Sequence, residues 1–480
     1  MESNIGSNVS LVRDILTKYS IYLLVGYVIV VLSQEFLFSP LRHFPGPFIA
    51  RFTNGYGAFY AVKRTLHLKT RDNHLKYGSV IRQGPNKLIF NSSTALSHRD
   101  LHRQKRKLIG PAVNDRSMRA FEPTLTGQVD ILVKLVAESQ GLPIDMSGKC
   151  NYLGMDVVGL LSFGFDLKSQ TKEEYRFLSD QMAPNNRRLN TIMQVPTIAR
   201  HRLQVPINMI WAKSRKLVFD LLQLMIKERT VQPTDAHHDL WSFIAESMKA
   251  DEKKDLQASD LWMEAIFFIV AGGDTTATGM AAALFYISRH RDCYDRLAAE
   301  IRSAFGSGSD INGPKLTACS YLRACIDEAM RMSPPLPGLL WRQLAVEEQG
   351  EGKPPLIIDG HIVPPGTDVA NYFPDPFTYK PERWLEAADK IEEGAPFSVG
   401  ARACGGKSMA YLEMSLLLAK LLWYFDFRPA PGPRGNVGLS DKGEFRIHDV
   451  FVSTNEGPWL VFEPRKGSGL DRLGVQGSGE

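Results

Sequence analysis

Apolar residues recur at helical spacing along most of this chain, which predicts a mainly α-helical protein. The spacing is clearest over residues 124–136, 215–229, 260–289 and 321–332. Strand-like segments, such as 80–82 and 87–90, are short and few, and the glycine- and proline-rich breaks are too short to separate independent domains. We therefore predict one mainly α domain with small β-sheets over residues 39–465. The glycine- and serine-rich residues 466–480 are predicted to be a disordered tail.

The N-terminal segment, residues 1–38, carries a long apolar run. Sixteen uncharged residues lie between Lys18 and Glu35, slightly fewer than the roughly 20 that a helix needs to cross a bilayer. A secretory signal peptide is the alternative, with Arg13 and Lys18 as its basic front. No small-residue cleavage site follows the run. We therefore predict a retained transmembrane anchor.

Composition and charge exclude several classes of protein. The 480 residues are 44% hydrophobic and 23% charged, which is ordinary for a globular chain. The net charge of +5 is far too small for a dedicated nucleic-acid-binding protein. The five cysteines are odd in number and form no CxxC pair, so a disulfide framework and a zinc ribbon are both disfavoured.

One cysteine, Cys404, has surroundings that favour chemistry. A free cysteine is commonly a small buried apolar residue, but glycines on both sides of Cys404 allow a tight turn with N–H groups directed at the sulfur. An apolar helical run begins at Lys407, which places Cys404 just before a helix N-terminus, and Arg402 lies nearby. Both features favour a thiolate. A thiolate is the axial ligand that a haem iron needs for O–O bond cleavage.

The segment FSVGARACGG, residues 397–406, resembles the haem-binding signature FxxGxRxCxG of the cytochromes P-450. The resemblance extends over nearly the whole chain, from Phe44 to about Arg465. It implies the mainly α haem-thiolate fold of that family, with haem b as cofactor and Cys404 as the axial ligand of the haem iron. The resemblance also implies that the other fixed positions of the signature contact the haem. These residues are Phe397, Gly400, Arg402 and Gly406.

A second motif, AGGDTT at residues 271–276, lies in the long apolar helix predicted over 260–289. Adjacent glycines inside a helix cost about 1 kcal/mol each, so they require a reason. One explanation is a close helix crossing. The resemblance favours the other, a widened turn that interrupts the helix, with Asp274 and Thr275 as the acid–alcohol pair that relays protons during oxygen activation.

A third set of residues has a structural role in the family. Glu328 and Arg331 lie three residues apart, on one face of a predicted helix. The segment PERW follows at residues 381–384. The resemblance implies that Arg383 joins Glu328 and Arg331 to lock the core beneath the haem.

The basic run HRDLHRQKRK, residues 98–107, is open to two interpretations. It can be a solvated face or a patch for anionic lipid or nucleic acid. In the family, the pattern formed by His102 and Arg106 holds a haem propionate through charge-assisted hydrogen bonds. Arg342 and Arg402 are further propionate candidates by the same resemblance. The remaining lysines would attract an acidic electron donor.

The resemblance implies a membrane-anchored monooxygenase of the microsomal type found in filamentous fungi, a single-pass protein of the endoplasmic reticulum with a cytosolic catalytic domain. No flavin or dinucleotide fingerprint is present in the chain, so electrons would come from NADPH through a separate reductase. We predict an apolar small-molecule substrate, such as a terpenoid or polyketide intermediate, contact with membrane lipid, and no nucleic-acid partner.

Two alternatives stay open. One is a haem-thiolate isomerase or dehydratase that needs no dioxygen, which the intact Asp274–Thr275 pair disfavours. The other is a haem-binding protein with little or no activity, the product of a shortened gene model. The chain departs from the family at two places, because residues 94–97 and 370–372 stand where longer stretches are usual. We expect 370–372 to be a short loop between two ordered elements.

Overall fold

A computed structural model describes most of the chain. The described residues are 18–20, 22–30, 33, 38–91, 114–200, 212–233, 239–242, 258–338, 342–343, 356–358, 360–363, 368–371, 378–386, 397–398 and 403–473. By its internal contacts, the folded chain divides into two compact units. Unit 1 comprises Met1–Tyr60, Leu68–Ala95 and Leu339–Tyr372, and unit 2 comprises Ala61–His67, Leu96–Gly338 and Phe373–Glu480.

The described helices and strands are numbered in chain order. The helices are α1 (Gly55–Val62), α2 (Leu66–Tyr77), α3 (Asp115–Ala137), α4 (Met146–Phe163), α5 (Phe177–Gln194), α6 (Pro196–Arg200), α7 (Ala212–Thr230), α8 (Ala258–Arg289), α9 (Arg291–Ala304), α10 (Gly313–Thr317), α11 (Ser320–Met332), α12 (Arg383–Glu386) and α13 (Lys407–Tyr424). The strands are β1 (Val80–Gly84), β2 (Lys87–Phe90), β3 (Ile144–Asp145), β4 (Arg342–Gln343), β5 (Leu356–Ile358), β6 (His361–Val363), β7 (Asp368–Asn371), β8 (Phe425–Pro429), β9 (Ile447–Val450), β10 (Val452–Asn455) and β11 (Trp459–Pro464).

The helices predicted from apolar spacing are all present, within α3, α7, α8 and α11. Local sequence also explains several of their ends. Asn114 caps α3 by accepting the backbone N–H of Ser117 at 2.9 Å, and Asp145 caps α4 through Ser147 at 3.1 Å. Helix α4 ends at Gly164, which adopts a left-handed φ of 61° that favours glycine.

Unit 1 contains a four-stranded sheet in the order β1-β2-β7-β4. Strands β1 and β2 are antiparallel, as expected for neighbouring strands joined by a tight turn, whereas β2 and β7 are parallel. Ala370 and Asn371 lie in β7, opposite Ile89 and Phe90. The expectation that residues 370 and 371 belong to a connecting loop is therefore wrong. Strands β5 and β6 form a separate antiparallel hairpin in this unit.

Unit 2 is mainly helical, and its core surrounds α8. The middle of this helix, from Ala277 to Ile287, is almost entirely buried. Helices α4, α11 and α13 pack against it. Two small sheets complete the unit, one in the order β3-β11-β8 and one formed by β9 and β10.

The end of unit 2 is more ordered than the sequence predicts. The carbonyl of Ser468 accepts a hydrogen bond from the Trp423 indole at 3.1 Å. Leu470 and Leu473 pack against the main hydrophobic core. The prediction of a disordered tail is thus wrong for residues 466–473. The two leucines in this glycine-rich segment contribute apolar surface that packs the segment against the core.

Among the residues that the structure describes, no helix combines the length and the apolar character required to cross a bilayer.

Candidate active site

Cys404 lies at the end of a closed loop, immediately before α13. Its backbone N–H donates to the carbonyl of Phe397 at 2.8 Å, which ties the two ends of the loop together. Helix α13 begins three residues later at Lys407, with Gly406 as its N-cap. The partial positive charge of the helix N-terminus favours a negative charge on the sulfur. The sequence prediction of a cysteine positioned before a helix is confirmed.

Exposure separates Cys404 from the other cysteines, all five of which are among the described residues. Cys404 is exposed, Cys293 is half-buried, and Cys150, Cys319 and Cys325 are buried. Burial raises the pKa of the Cys319 thiol to about 11. A buried thiol in this environment stays protonated, so Cys404 is the one cysteine whose sulfur is placed to bind a ligand.

The donor set at this loop fits a thiolate-bound haem. A thiolate sulfur is a soft ligand that suits iron, and glycine at position 406 adds no side chain beside it. A Cβ atom added at Gly406 would lie 4.0 Å from the Cys404 Sγ. Phe397 is half-buried beside the loop, with its ring packed on Tyr411 at a centroid distance of 4.7 Å. These residues would hold haem from its cysteine side.

The predicted propionate contacts are not tested by the structure. His102, Arg106, Gly400 and Arg402 lie outside the described residues. The backbone of Arg342 lies in β4, where it pairs with Val369, and its side chain is outside the description. These assignments stay predictions.

The glycines of the AGGDTT motif lie at a close crossing between α4 and α8. A Cβ atom added at Gly272 would meet the Val158 side chain at 2.8 Å, and one added at Gly273 would meet Met155 at 3.0 Å. From the opposite helix, a Cβ atom at Gly154 would lie 2.7 Å from the Gly273 carbonyl oxygen. Helix α8 continues without a break through this segment. The expectation of an interrupted helix is wrong, and tight packing explains the two glycines.

Asp274 and Thr275 follow directly on α8, and both are half-buried. Loss of hydration raises the pKa of the Asp274 carboxyl to about 7. The Thr275 hydroxyl donates to the Ala271 carbonyl at 2.5 Å. A carboxyl with a pKa near neutrality can both accept and release a proton under physiological conditions. The arrangement is therefore chemically suited to proton transfer.

A polar cluster that the sequence analysis missed lies along the same side of α8. Thr278, one turn after Asp274, donates to the Ser453 carbonyl in β10 at 3.3 Å. In the adjoining β9, fully buried Asp449 accepts from the Asn190 amide of α5 at 2.9 Å. Burial raises the pKa of Asp449 to about 6. No local pattern marks Asp449, because its partner is separated from it by most of the chain.

The predicted lock around Glu328 is present in full. The Arg331 Nε and the Arg383 Nε lie 2.9 and 3.0 Å from its carboxylate oxygens. The Trp384 indole donates at 2.8 Å, and the backbone N–H of Lys380 does so at the same distance. Burial by itself would raise the pKa of Glu328, but the hydrogen bonds from Arg331 and the other donors lower it below its ordinary value. The sequence predicted the two arginines of the lock. It did not predict the role of Trp384, although this residue belongs to the same PERW segment as Arg383.

Comparison with known proteins agrees with this site. The family model "Cytochrome P450" matches residues 86–439. The cytochrome P450 monooxygenase poxM of Penicillium oxalicum is 32% identical, with 93% of this chain and 94% of the relative covered. That alignment spans 498 positions, so the relative carries residues inside the aligned region that this chain lacks.

Two further fungal proteins are similar. The cytochrome P450 monooxygenase AKT7 of Alternaria alternata is 28% identical over 92% of this chain and 96% of its own length. The cytochrome P450 monooxygenase lcsN of Purpureocillium lilacinum is 36% identical over 67% of this chain and 99% of its own length. With a closed cysteine loop before α13, an intact lock around Glu328 and a family match over most of its length, this chain belongs to the cytochrome P450 family of monooxygenases, oxidoreductases that incorporate oxygen from O2.

Proposed function

We propose that this monooxygenase inserts one oxygen atom of O2 into an apolar small molecule, a fungal natural-product intermediate of the terpenoid or polyketide type. Electrons would come from NADPH through a separate reductase. The observation that carries the proposal is the Cys404 thiol, which is exposed at the start of α13 in a loop closed on Phe397. The fungal origin of the similar monooxygenases supports the substrate class.

Each residue of the candidate site has a proposed role in this reaction. Cys404 would hold the iron of haem b, and the bound haem would supply the redox chemistry of oxygen activation. Asp274, with its pKa near 7, and Thr275 would move protons on the side of α8. The guanidinium groups of Arg402, Arg342 and Arg106, with His102, would hold the propionates.

Spectroscopy of the haem-loaded full chain tests the ligand. The reduced carbonyl complex should absorb at the long-wavelength position typical of thiolate-bound haem, and Cys404→Ser should abolish that band. Cys404→His should give a histidine-type spectrum. Cys293→Ser is the control, because Cys293 is half-buried and lies on α9, outside the segment 397–406. A band that persists in Cys404→Ala contradicts the assignment.

Turnover separates the proposed reaction from the alternatives. With reductase and NADPH present, the monooxygenase should consume O2 and NADPH in response to substrate. A haem-thiolate isomerase would convert substrate without consuming either. A haem-binding protein without activity would show the thiolate band and no substrate-dependent consumption. Spectral shifts across a panel of terpenoids and polyketides would identify the compounds that bind.

We also propose that residues 1–38 anchor the protein in the endoplasmic reticulum membrane, with the catalytic part in the cytosol. Residues 22–30 are helical, and their large apolar side chains are exposed, with Leu23 at 75%. Within unit 1, Phe48 and Ile49 are each 61% exposed as well. Exposed apolar groups of this kind are typical of contact with lipid. Deletion of residues 2–38 should release the protein from membranes that otherwise retain it in alkaline carbonate, and release of the full chain would contradict the anchor.

A further inference from the structure

The Tyr411 side chain, on the second turn of α13, connects three groups around the cysteine loop. Its hydroxyl donates to the Asp327 carboxylate of α11. Its ring packs on Phe397 at a centroid distance of 4.7 Å, with an interplanar angle of 54°. The Arg323 guanidinium lies 3.2 Å from the centroid of the Tyr411 ring. The Tyr411 side chain is therefore restrained by a hydrogen bond at its hydroxyl and by the packing of Phe397 and Arg323 on its ring.

The Asp327 acceptor is itself held in place. It is only 8% exposed, and the Arg323 Nε donates to its other oxygen at 2.9 Å. The next residue along α11 is Glu328, the centre of the lock with Arg331 and Arg383. Because α11 is fixed by that lock, the hydrogen bond from Tyr411 is made to a rigid element.

Phe397 connects Tyr411 to the cysteine. Its ring packs on Tyr411, while its carbonyl accepts the backbone N–H of Cys404 at 2.8 Å. A side chain that fixes the Phe397 ring thereby limits movement of the carbonyl that holds Cys404. The contact path runs from Asp327 through Tyr411 and Phe397 to the backbone of the residue that carries the sulfur.

We propose that Asp327 and Tyr411 are positioning residues for the Cys404 thiolate. By fixing Phe397, they hold the backbone of Cys404 in place, and with it the sulfur that would bind the haem iron, and they oppose displacement of that sulfur. The inference rests on the proposed role of Cys404 as haem ligand. It concerns side chains outside the FxxGxRxCxG signature.

The molecule offers a matched control at the other end of α13. The Tyr294 hydroxyl donates to Asp426 at 3.2 Å, Asp426 pairs with Arg302 at 2.6 Å, and the Tyr294 ring packs on Phe427 at 5.1 Å. The Tyr294 hydroxyl thus also donates to a carboxylate that pairs with an arginine, and in addition it accepts the backbone N–H of Phe427 at 3.1 Å. Phe427 lies in β8, beyond the end of α13. An 18-residue helix is about 27 Å long, so Tyr294→Phe removes an equivalent hydroxyl far from Cys404.

The experiment follows the thiolate band of the reduced carbonyl complex in the haem-loaded full chain, in urea too dilute to unfold it. Tyr411→Phe should keep the ring contacts and lose the hydrogen bond, so the band should convert to the short-wavelength form about tenfold faster than in the wild type. Asp327→Asn should act in the same direction. The double variant should be accelerated by less than the product of the two single effects, because both changes weaken the same hydrogen bond between Tyr411 and Asp327. Tyr294→Phe should convert at the wild-type rate.

The proposal is overturned if Tyr411→Phe converts at the wild-type rate. It is also overturned if Tyr294→Phe accelerates the conversion as much as Tyr411→Phe does, because that result would indicate general loosening of the fold. If Tyr411→Phe yields no haem-loaded protein, the rate in Asp327→Asn decides in the same way. The ligand assignment is judged separately through Cys404→Ala. If the thiolate band persists in Cys404→Ala, both proposals are wrong. If the band is lost in Cys404→Ala but the conversion rate of Tyr411→Phe equals that of the wild type, only the positioning role is wrong.

Discussion

At the scale of single residues, the surroundings of each carboxyl group decide its chemistry. Burial removes water from the Asp274 carboxyl, and its pKa rises to about 7. Glu328 is fully buried, yet its donors lower its pKa. The same functional group thus has a pKa near neutrality on α8 and stays ionised in the lock around Glu328. Sequence alone does not distinguish them, since the difference lies in the number of donors that reach each carboxylate.

Substitution of the acid–alcohol pair should uncouple turnover. Thr275→Ala and Asp274→Asn should leave haem content and substrate affinity nearly unchanged, because neither residue is part of the cysteine loop or the lock. Proton delivery would slow, so more of the NADPH consumed should yield hydrogen peroxide and less should yield product. The measurement is the ratio of product to NADPH, with peroxide assayed in parallel.

Thr278→Ala is the control for this pair. It removes a hydroxyl one turn along the helix that donates to the Ser453 carbonyl. It should lower stability slightly without changing the ratio of product to NADPH. A fully coupled Thr275→Ala variant would remove Thr275 from the proton relay.

At the scale of elements, the crossing of α4 and α8 is a tight constraint beside Asp274. The backbone carbonyl of Gly273 occupies the space that a side chain at Gly154 would need. This contact sets how closely the two helices approach, directly beside Asp274. The small residues at the crossing thus set the distance of α4 from the part of α8 that carries Asp274 and Thr275.

Gly154→Ala should therefore destabilise the protein. The added Cβ would lie 2.7 Å from backbone, which cannot move aside as a flexible side chain can. We expect a loss of about 1–3 kcal/mol in the free energy of unfolding, measured by urea titration of the haem-loaded chain. Gly127→Ala on α3 is the control, because a Cβ there meets nothing within 4 Å. It should gain up to about 1 kcal/mol from helix propensity, and equal effects of the two changes would contradict the close-packing argument.

At the scale of the whole molecule, buried carboxyl groups make stability depend on pH. Glu413 on α13 is fully buried, and neither of its oxygens has a hydrogen-bond partner among the described residues. Burial raises its pKa from the ordinary value of 4.5 to about 8. Between pH 4.5 and about pH 8, the Glu413 carboxyl is protonated in the folded protein and ionised in the unfolded chain. The stability associated with the proton is therefore complete below the unfolded pKa and is lost as pH rises through about 8.

Glu413→Gln should remove this pH dependence. For one such group, the free energy of unfolding changes by about 1.4 kcal/mol per pH unit between the two pKa values. The variant should therefore gain stability relative to the wild type as pH rises from 5 to 8, which urea titrations at several pH values would measure. Glu463→Gln, at an exposed carboxylate on β11, should leave the pH dependence unchanged. Parallel curves for the wild type and Glu413→Gln would show that the group is hydrated or paired in solution.

Features that depend on neighbours in the chain were predictable from sequence. The apolar spacing of α3, α7, α8 and α11 predicted each helix, because a helix buries residues three and four positions apart. The turn around Cys404 and the start of α13 followed from glycines and the apolar run beside them. The lock around Glu328 came from the family resemblance, and the structure places its two arginines as expected.

Features that depend on contacts between distant segments were decided by tertiary structure. The glycines of α8 serve a crossing with α4, and Ala370 completes a strand beside β2. Tyr411 meets Asp327 from another helix, and Asp449 meets Asn190. The physical reason is the same in each case. Helical and turn propensities act over a few residues, whereas burial, close approach and the number of hydrogen-bond donors around a carboxylate exist only after segments far apart in the chain have packed together.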